Sequence, residues 1–289
     1  MLKVYPITDA CGLICSVGLP YSGKSTRIEE IAKRVPSTKP LTRYVEPFVG
    51  GGAFFFWIRH ELPLLACRIA DRNPLLTNTY VVVRDAVDEL LPALRVHAQK
   101  HSSEHYYEVR QSNPTDPVKQ AALFIYLNRT CYNGLWRVNR RGEFNVPLGK
   151  YANPKIVDEK NLRLVSQALR DVEILCVDFE EAVSDCGPSE LIYFDPPYQP
   201  LSTTSRFTAY TSEGFGSKEQ ERLARVFETL RKMGAFVILS NSDAEIIRHL
   251  YQVLSPKPTL DRVRVPRLIN SKAGSRGAID ELLIYDQGQ

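Results

Sequence analysis

The stretch YVEPFVGGGAFFF, Tyr44 to Phe56, reads as a short strand, an acid, a glycine-rich turn and an apolar segment. Gly50, Gly51 and Gly52 let the backbone approach a ligand at distances where a Cβ would clash. Upstream, the β-rich run Leu13 to Val17 meets another Gly-rich turn and then a helical pattern with Ile28, Ile31, Ala32 and Val35 on one face. Downstream, LLACRIAD is a strand ending in Asp71, and a helix is expected over Asp85 to Lys100. From there to about Asn161 the alternation gives way to an aromatic, polar and basic stretch, read as a separate module inserted in a sheet domain.

Alternation resumes with VEILCVD, ending at Asp178, and LIYFD, ending at Asp195. A helix follows with Leu223, Val226, Phe227, Leu230 and Met233 in register, then the strand AFVILS. The next helix is expected to start with a capping box from Ser242 to Glu245, and LLIY is the last strand. Repeated βαβ units imply a mostly parallel, doubly wound α/β sheet of Rossmann-like type with helices on both faces. The expected division is 1–82 and 166–289 for the two parts of the sheet domain, with 83–165 as the inserted, mainly helical module.

Bulk composition narrows the function classes. Apolar residues make up 44% and charged residues 24%, as in a well-packed globular chain. No apolar run is long enough for a membrane span, and the N-terminus lacks a signal-peptide layout, so a cytoplasmic protein is expected. Cys11, Cys15, Cys67, Cys131, Cys176 and Cys186 form no Cys-x-x-Cys pair and read as reduced, mostly buried thiols. No histidine has a partner at metal-ligand spacing, so no metal is expected. The net charge of +4 is mild, but it is unevenly placed. From Arg129 to Lys155, within the inserted module, Arg129, Arg137, Arg140, Arg141, Lys150 and Lys155 are set against a single anion, Glu143. A basic stretch of this kind is commonly a solvated face and needs independent support before it reads as a nucleic-acid surface.

Several strands end in an acid or run into a glycine turn: Glu46, Asp71, Asp178 and Asp195. Ligands of open α/β sheets bind outside the carboxyl ends of the strands, so these acids are candidates for holding a nucleotide-like cofactor. At the last of them stands Asp195-Pro196-Pro197-Tyr198. An exocyclic adenine amine is a poor nucleophile because its lone pair is delocalised into the ring. The Asp195 carboxylate and the Pro196 carbonyl can each accept one of its hydrogens, drawing the nitrogen toward a tetrahedral form. Pro196 and Pro197 stiffen the turn and donate no N–H to compete for the carboxylate. Tyr198 provides a flat surface for a base taken out of its duplex. Methyl transfer at such a site needs positioning and electrostatics but no metal.

These blocks together resemble the Dam-type family of DNA adenine-N6 methyltransferases. YVEPFVGGGAFF is similar to that family's first cofactor motif, which implies S-adenosylmethionine contacts from Glu46, Pro47, Phe48, Gly50 and Gly52. ADRNPLLTN resembles the second, with Asp71 placed for the ribose hydroxyls. VDF resembles the third, with Asp178 and Phe179 facing the cofactor adenine. Asp195 would serve both cofactor and target. LNRTCYNGLWRVNRRGEFNVPLGKY, Leu127 to Tyr151, is similar to the family's DNA-reading hairpin. The resemblance implies that Tyr132 and Asn133 hold the duplex open and that Leu135 and Arg137 read base edges, with Asn139 also in contact. Arg129, Arg140, Arg141 and Lys150 would sit on phosphates of double-stranded DNA. The VNRRGEFNVP segment resembles that of relatives reading GATC-like sites.

One motif competes. Gly18 to Ser25, GLPYSGKS, fits the phosphate-binding pattern of a P-loop ATP-binding enzyme. The Dam-type family has its own Gly-Lys turn here, which implies that Tyr21, Gly23 and Lys24 approach the methionine part of the cofactor. Leu19-Pro20 stands where the family usually has Lys-Trp. A non-catalytic DNA-binding protein on a methyltransferase scaffold is the third reading, and the intact DPPY argues against it. A cognate restriction endonuclease leaves no trace in the sequence.

Overall fold

The computed structural model describes residues 22–37, 39–139, 141–200, 215–266 and 278–286. Its frame is a seven-stranded sheet in the order β3-β2-β1-β4-β5-β7-β6. The strands are β1 (Arg43–Glu46), β2 (Ala66–Ala70), β3 (Glu173–Leu175), β4 (Glu190–Phe194), β5 (Phe236–Ser242), β6 (Thr259–Pro266) and β7 (Ala278–Tyr285). β3, β2, β1, β4 and β5 pair in parallel, and β7 is antiparallel to both neighbours. The order reverses between β1 and β4, and this is where an open α/β sheet forms its ligand crevice. This is the expected α/β methyltransferase-type sheet, closed at one edge by the β6–β7 hairpin.

The sequence pattern pointed to LLIY alone as the last strand and missed β6. TLDRVRVP alternates charged and apolar residues, as an edge strand does, and its charges obscure the apolar period. β3 is also shorter than VEILCVD, because only residues 173–175 pair with β2 and Cys176 is exposed. The capping box does not form. Ser242 is the last residue of β5, its hydroxyl donates to the Gln199 carbonyl at 2.6 Å, and the following helix has Ala244 at its N-cap. Met233 lies at the end of its helix, 47% exposed, while Leu223, Val226, Phe227 and Leu230 are buried.

The helices are α1 (Ser22–Ala32), α2 (Ala53–Glu61), α3 (Pro74–Asp85), α4 (Val87–Lys100), α5 (Ser103–Gln111), α6 (Pro117–Thr130), α7 (Glu159–Ala168), α8 (Phe179–Ala182), α9 (Ser217–Lys232) and α10 (Glu245–Gln252). Local chemistry sets several starts. Asn73, Ser102 and Asp116 cap α3, α5 and α6 by accepting backbone N–H bonds, and Pro74 and Pro117 open α3 and α6 where no N–H is needed. α6 is buried on nearly every side, from Ala121 to Asn128, because α3, α4 and α5 pack around it. These helices share one hydrophobic core with β1 and β2, joined through Tyr80, Leu90, Tyr106 and Tyr126. Cys67, Cys131 and Cys186 are buried thiols. Among the described residues no helix is long and apolar enough to cross a membrane.

α1 is tied to the reversed edge of the sheet. Arg34 pairs with Asp261 of β6 at 2.9 Å, and Tyr285 of β7 donates to the same carboxylate at 2.6 Å. Ile31 is buried in the core. This anchorage fixes where the preceding turn of α1 points.

A histidine network lies between α4, α5 and α6. His97 Nδ1 lies 3.0 Å from His105 Nε2, the His97 ring stacks on Tyr126, and His101 Nδ1 is 2.9 Å from the Tyr126 hydroxyl. Burial, with His105 and Lys100 nearby, pushes the His97 pKa down to about 4 from 6.5. The unfolded chain therefore takes up a proton near 6.5 that the folded chain refuses until about 4, so stability falls as pH drops through that window. His97→Phe is expected to flatten the loss of melting temperature between pH 6.5 and 4. An unchanged slope in thermal melts would remove His97 from the account.

Candidate active site

Four strand-end acids lie along one edge of the sheet, and two of them flank its switch point. Glu46 ends β1, 2% exposed, and accepts the Tyr44 hydroxyl at 2.5 Å. Asp195 follows β4 directly, with its side chain 33% exposed. Between them opens a cleft of about 160 Å³, lined by residues including Glu46, Val49, Gly51, Gly52, Phe54, Tyr193 and Asp195.

The glycine turn is built to close tolerance. Gly50 and Gly52 have φ of +45° and +68°, which disfavours any side chain there. A Cβ on Gly52 would also meet the Tyr80 hydroxyl at 2.7 Å. That hydroxyl donates to the Gly50 carbonyl at 3.0 Å, fixing α3 against the turn. Asp71 completes the arrangement. Its Oδ2 accepts the Gly50 N–H at 3.2 Å and its Oδ1 the Asn73 N–H at 2.9 Å. Burial raises the Asp71 pKa, partly offset by these backbone donors. The cradle of bare backbone beside three acids suits a cationic, nucleoside-like group such as S-adenosylmethionine.

Pro47 is buried and Phe48 half-buried. Phe48 stacks on Phe179 with centroids 5.2 Å apart, and Phe179 is itself buried. Asp178 caps α8 and pairs with Arg222, and Arg72 lies 3.9 Å away. The Arg222 guanidinium also lies 4.2 Å from the Phe179 ring centre. Tyr21 lies outside the described residues, and Gly23 and Lys24 fall on the first turn of α1, whose backbone alone is described.

The turn after Asp195 rests on a polar scaffold that sequence reasoning did not find. Gln220 of α9 donates to the Pro197 carbonyl at 3.1 Å, and buried Asn241 of β5 donates to Gln220 Oε1 at 3.0 Å. Asn241 Oδ1 in turn accepts the Gln199 N–H at 3.2 Å. Pro196 is buried, Pro197 exposed and Tyr198 half-buried. An amide on a strand and another on a helix, 21 residues apart, give no local signal of their partnership.

Also unforeseen is a cation on the carboxylate itself. Arg27 Nη2 of α1 donates to Asp195 Oδ1 and to the Tyr198 hydroxyl, and lies 3.2 Å from the Tyr193 hydroxyl. Tyr198 donates to Glu281 Oε2 at 3.0 Å. Glu281 stands opposite Ser242 in the antiparallel pairing of β7 with β5, which carries the early part of β7 to this edge of the sheet. It stands immediately before the LLIY strand signal, with no motif of its own. Burial raises the Glu281 pKa, with Arg27 pulling it down and Asp195 pushing it up.

The basic segment folds as an irregular hairpin after α6. Bridges join Cys131 to Leu148 and Val138 to Phe144, and Tyr132 to Gly134 form a 3-10 turn. Trp136 is held between Phe124 of α6 and Phe144, with centroids 4.2 and 4.6 Å away. Tyr132, Arg137, Arg141 and Lys150 are exposed, Arg129 and Asn133 half-buried, and Leu135 packs on the core. Asn133 adopts a φ of +53°. Arg137 Nε donates to Asn145 at 2.7 Å. Asn139 is spent on the tip: its Oδ1 accepts the Arg141 and Glu143 N–H groups, and its Nδ2 donates to Glu143. Arg140 lies outside the described residues. Among the described residues no group of acids, histidines or cysteines is placed to hold a metal.

Comparison with known proteins agrees with this geometry. The family model for D12 class N6 adenine-specific DNA methyltransferases matches residues 22–260. The type II methyltransferase M.MjaIII of Methanocaldococcus jannaschii is 42% identical over 281 residues, covering 91% of this chain and 96% of its own. The type II methyltransferase M1.LlaDCHI of Lactococcus lactis subsp. cremoris is 37% identical, covering 92% and 93%. A DNA adenine methylase of Escherichia coli is 35% identical, covering 92% and 93%.

Asn241→Ala removes the donor to buried Gln220 Oε1 and the acceptor of the Gln199 N–H, a loss of about 1–3 kcal/mol. We expect a lower melting temperature and a fall in methyl transfer larger than the fall in DNA binding. Equal falls in both would mean that the scaffold serves stability alone.

The acids at the strand ends, the cradle of glycine backbone and the stiff DPPY turn thus coincide with a match across most of the sequence, and the chain belongs to the D12 class of N6 adenine-specific DNA methyltransferases.

Proposed function

We propose that this protein moves a methyl group from S-adenosylmethionine to the N6 amine of an adenine turned out of double-stranded DNA, at a GATC-like site. The observation that carries the reading is the position of Asp195. It follows β4 directly, beside the glycine turn after β1 at the switch point, and shares the Arg27 cation with the Tyr198 hydroxyl. When bound, S-adenosylmethionine supplies the electrophilic methyl group. The Gly50–Gly52 backbone, Glu46, Pro47, Phe48 and Asp71 hold the cofactor, with Asp178 and Phe179 toward its adenine and Tyr21, Gly23 and Lys24 toward its methionine end.

The chain's own residues then prepare the amine. Asp195 and the Pro196 carbonyl accept its two hydrogens and localise the nitrogen lone pair. The surplus proton leaves along the bond to Asp195. Tyr198 stacks on the flipped base, so its aromatic face holds orientation without reading identity. The rate gain comes from fixed geometry and fixed charge.

For DNA binding, helices α4 to α6 and the hairpin form the recognition module between two parts of the catalytic domain. Tyr132 and Asn133 enter the gap left by the flipped base, and Leu135 and Arg137 address base edges. Arg129, Arg140, Arg141 and Lys150 contact phosphates. Asn139 contributes by shaping the tip that carries them. The reading places the enzyme in the cytoplasm, where its DNA is.

The test is transfer of labelled methyl to short duplexes with GATC intact or scrambled. Transfer to the GATC duplex alone, with N6-methyladenine in the digest, is the expected result. Transfer to neither by folded protein would remove the target and require trials on mixed genomic DNA. Asp195→Ala should reduce transfer by at least ~10²-fold and leave duplex binding nearly intact. Near-normal turnover would overturn its role.

Arg137 and Arg141 should separate by kind of effect. Arg137→Ala should relax base preference, since a lost edge contact changes discrimination by about 1–3 kcal/mol. Arg141→Ala should weaken all duplexes alike and lower the salt slope by about 1. A salt slope unchanged by Arg141→Ala would take it off the phosphates.

A further inference from the structure

In this structure the acceptor that should receive the substrate amine already has a donor. Arg27 Nη2 sits on Asp195 Oδ1, and its guanidinium carbon lies 5.4 Å from the centre of the Tyr198 ring that would stack on the base. The same side chain lines the cleft beside Glu46 and the glycine turn. Its Nε lies 3.4 Å from Glu281 Oε2, close enough for an ion pair, yet among the described residues it has no hydrogen-bond partner. Arg27 is therefore well paired at one end and poorly satisfied at the other.

Charge explains why it is there. Asp195 and Glu281 converge at one edge of the sheet, with Glu46 on the adjoining strand and Arg27 as their nearest described cation. Burial works against the guanidinium's charge, but Asp195, the neighbouring tyrosines and Glu281 outweigh it and keep Arg27 ionised. A methyl donor with a positive sulfur brings a second cation to the same acids. Two cations in a cleft of low polarity repel each other strongly.

We propose that Arg27 is the resident counter-cation of Asp195, a specificity-determining residue that yields its place to the substrate amine and the cofactor's positive sulfur together. This rests on the methyl-transfer reading above. While the sulfur is positive, Arg27 is redundant as a counter-charge and can leave Asp195 to the amine. After transfer the sulfur is a neutral thioether, the acids again lack a cation, and Arg27 returns to Asp195, competing with the methylated amine. Arg27 thus shifts the balance between the methyl donor and its demethylated product.

The test compares affinities of the protein for S-adenosylmethionine and S-adenosylhomocysteine, measured by calorimetry without DNA. The two ligands differ by a methyl and a charge, and the change in the ratio of their dissociation constants between variants isolates the charge, because the methyl contributes to every ratio alike. Arg27→Met should shift that ratio about tenfold toward the cationic ligand, because it removes one of two like charges from a partly solvated cleft. Arg27→Lys, which retains the charge, should stay within about threefold of the parent ratio. Arg27→Gln serves in place of Arg27→Met if that variant does not melt cooperatively. A parent protein that binds both ligands, with a ratio unmoved by loss of charge, would overturn the proposal and leave the methyl-transfer reading standing. A folded parent that binds neither ligand would remove both.

Discussion

A carboxylate at the end of a buried strand must find donors, and the one that meets Asp195 comes from a helix 168 residues earlier in the chain. That pairing depends on much of the fold. β4 must end beside β1 for Asp195 to face the glycine turn, which the reversal of strand order between them achieves. α1 must lie over the opposite edge, held by Arg34 on Asp261, for Arg27 to reach across. β7 must run backwards for Glu281 to arrive at the same end of the sheet. The site is a meeting of three distant segments under one electrostatic requirement.

Two kinds of support hold that meeting in place. The glycine-turn side is held by backbone: Gly50 and Gly52 in left-handed conformations, Tyr80 on the Gly50 carbonyl, and Asp71 on the Gly50 N–H. The side of the Asp195–Tyr198 turn is held by amides, through Gln220 and Asn241 on the Pro197 carbonyl and the Gln199 N–H. Prolines make this division sensible. A turn with two prolines has few N–H groups with which to secure itself, so its carbonyls are secured from outside.

The hairpin that bears the basic residues follows a different rule. Its ladder is sparse, and it is kept rigid by Trp136 between Phe124 and Phe144 and by Asn139 at the tip. A hairpin stiffened by its own side chains presents Arg137 and Arg141 at low entropic cost. Its attachment to α6 continues through the helical core to Tyr80, which touches the glycine turn. The basic hairpin and the glycine turn therefore share one packed core.

What could be read from sequence was local. The strand-end acids, the glycine turn and DPPY are contiguous motifs whose chemistry follows from neighbours in the chain, and the family resemblance rested on them. The βαβ alternation was legible because the apolar period of buried parallel strands is strong. β6 was not, since an edge strand alternates charge with apolar residues, and the supposed capping box failed because strand pairing claimed Ser242 first. Glu281, Gln220 and Asn241 stand in strands and a helix with no motif around them, and Arg27 lies just past the Gly-Lys motif, outside its pattern. Sequence alone determined which groups could do the chemistry. Only the tertiary structure decided which charges share the cleft, because strand order and direction are long-range properties that bring together residues whose spacing in the chain carries no signal.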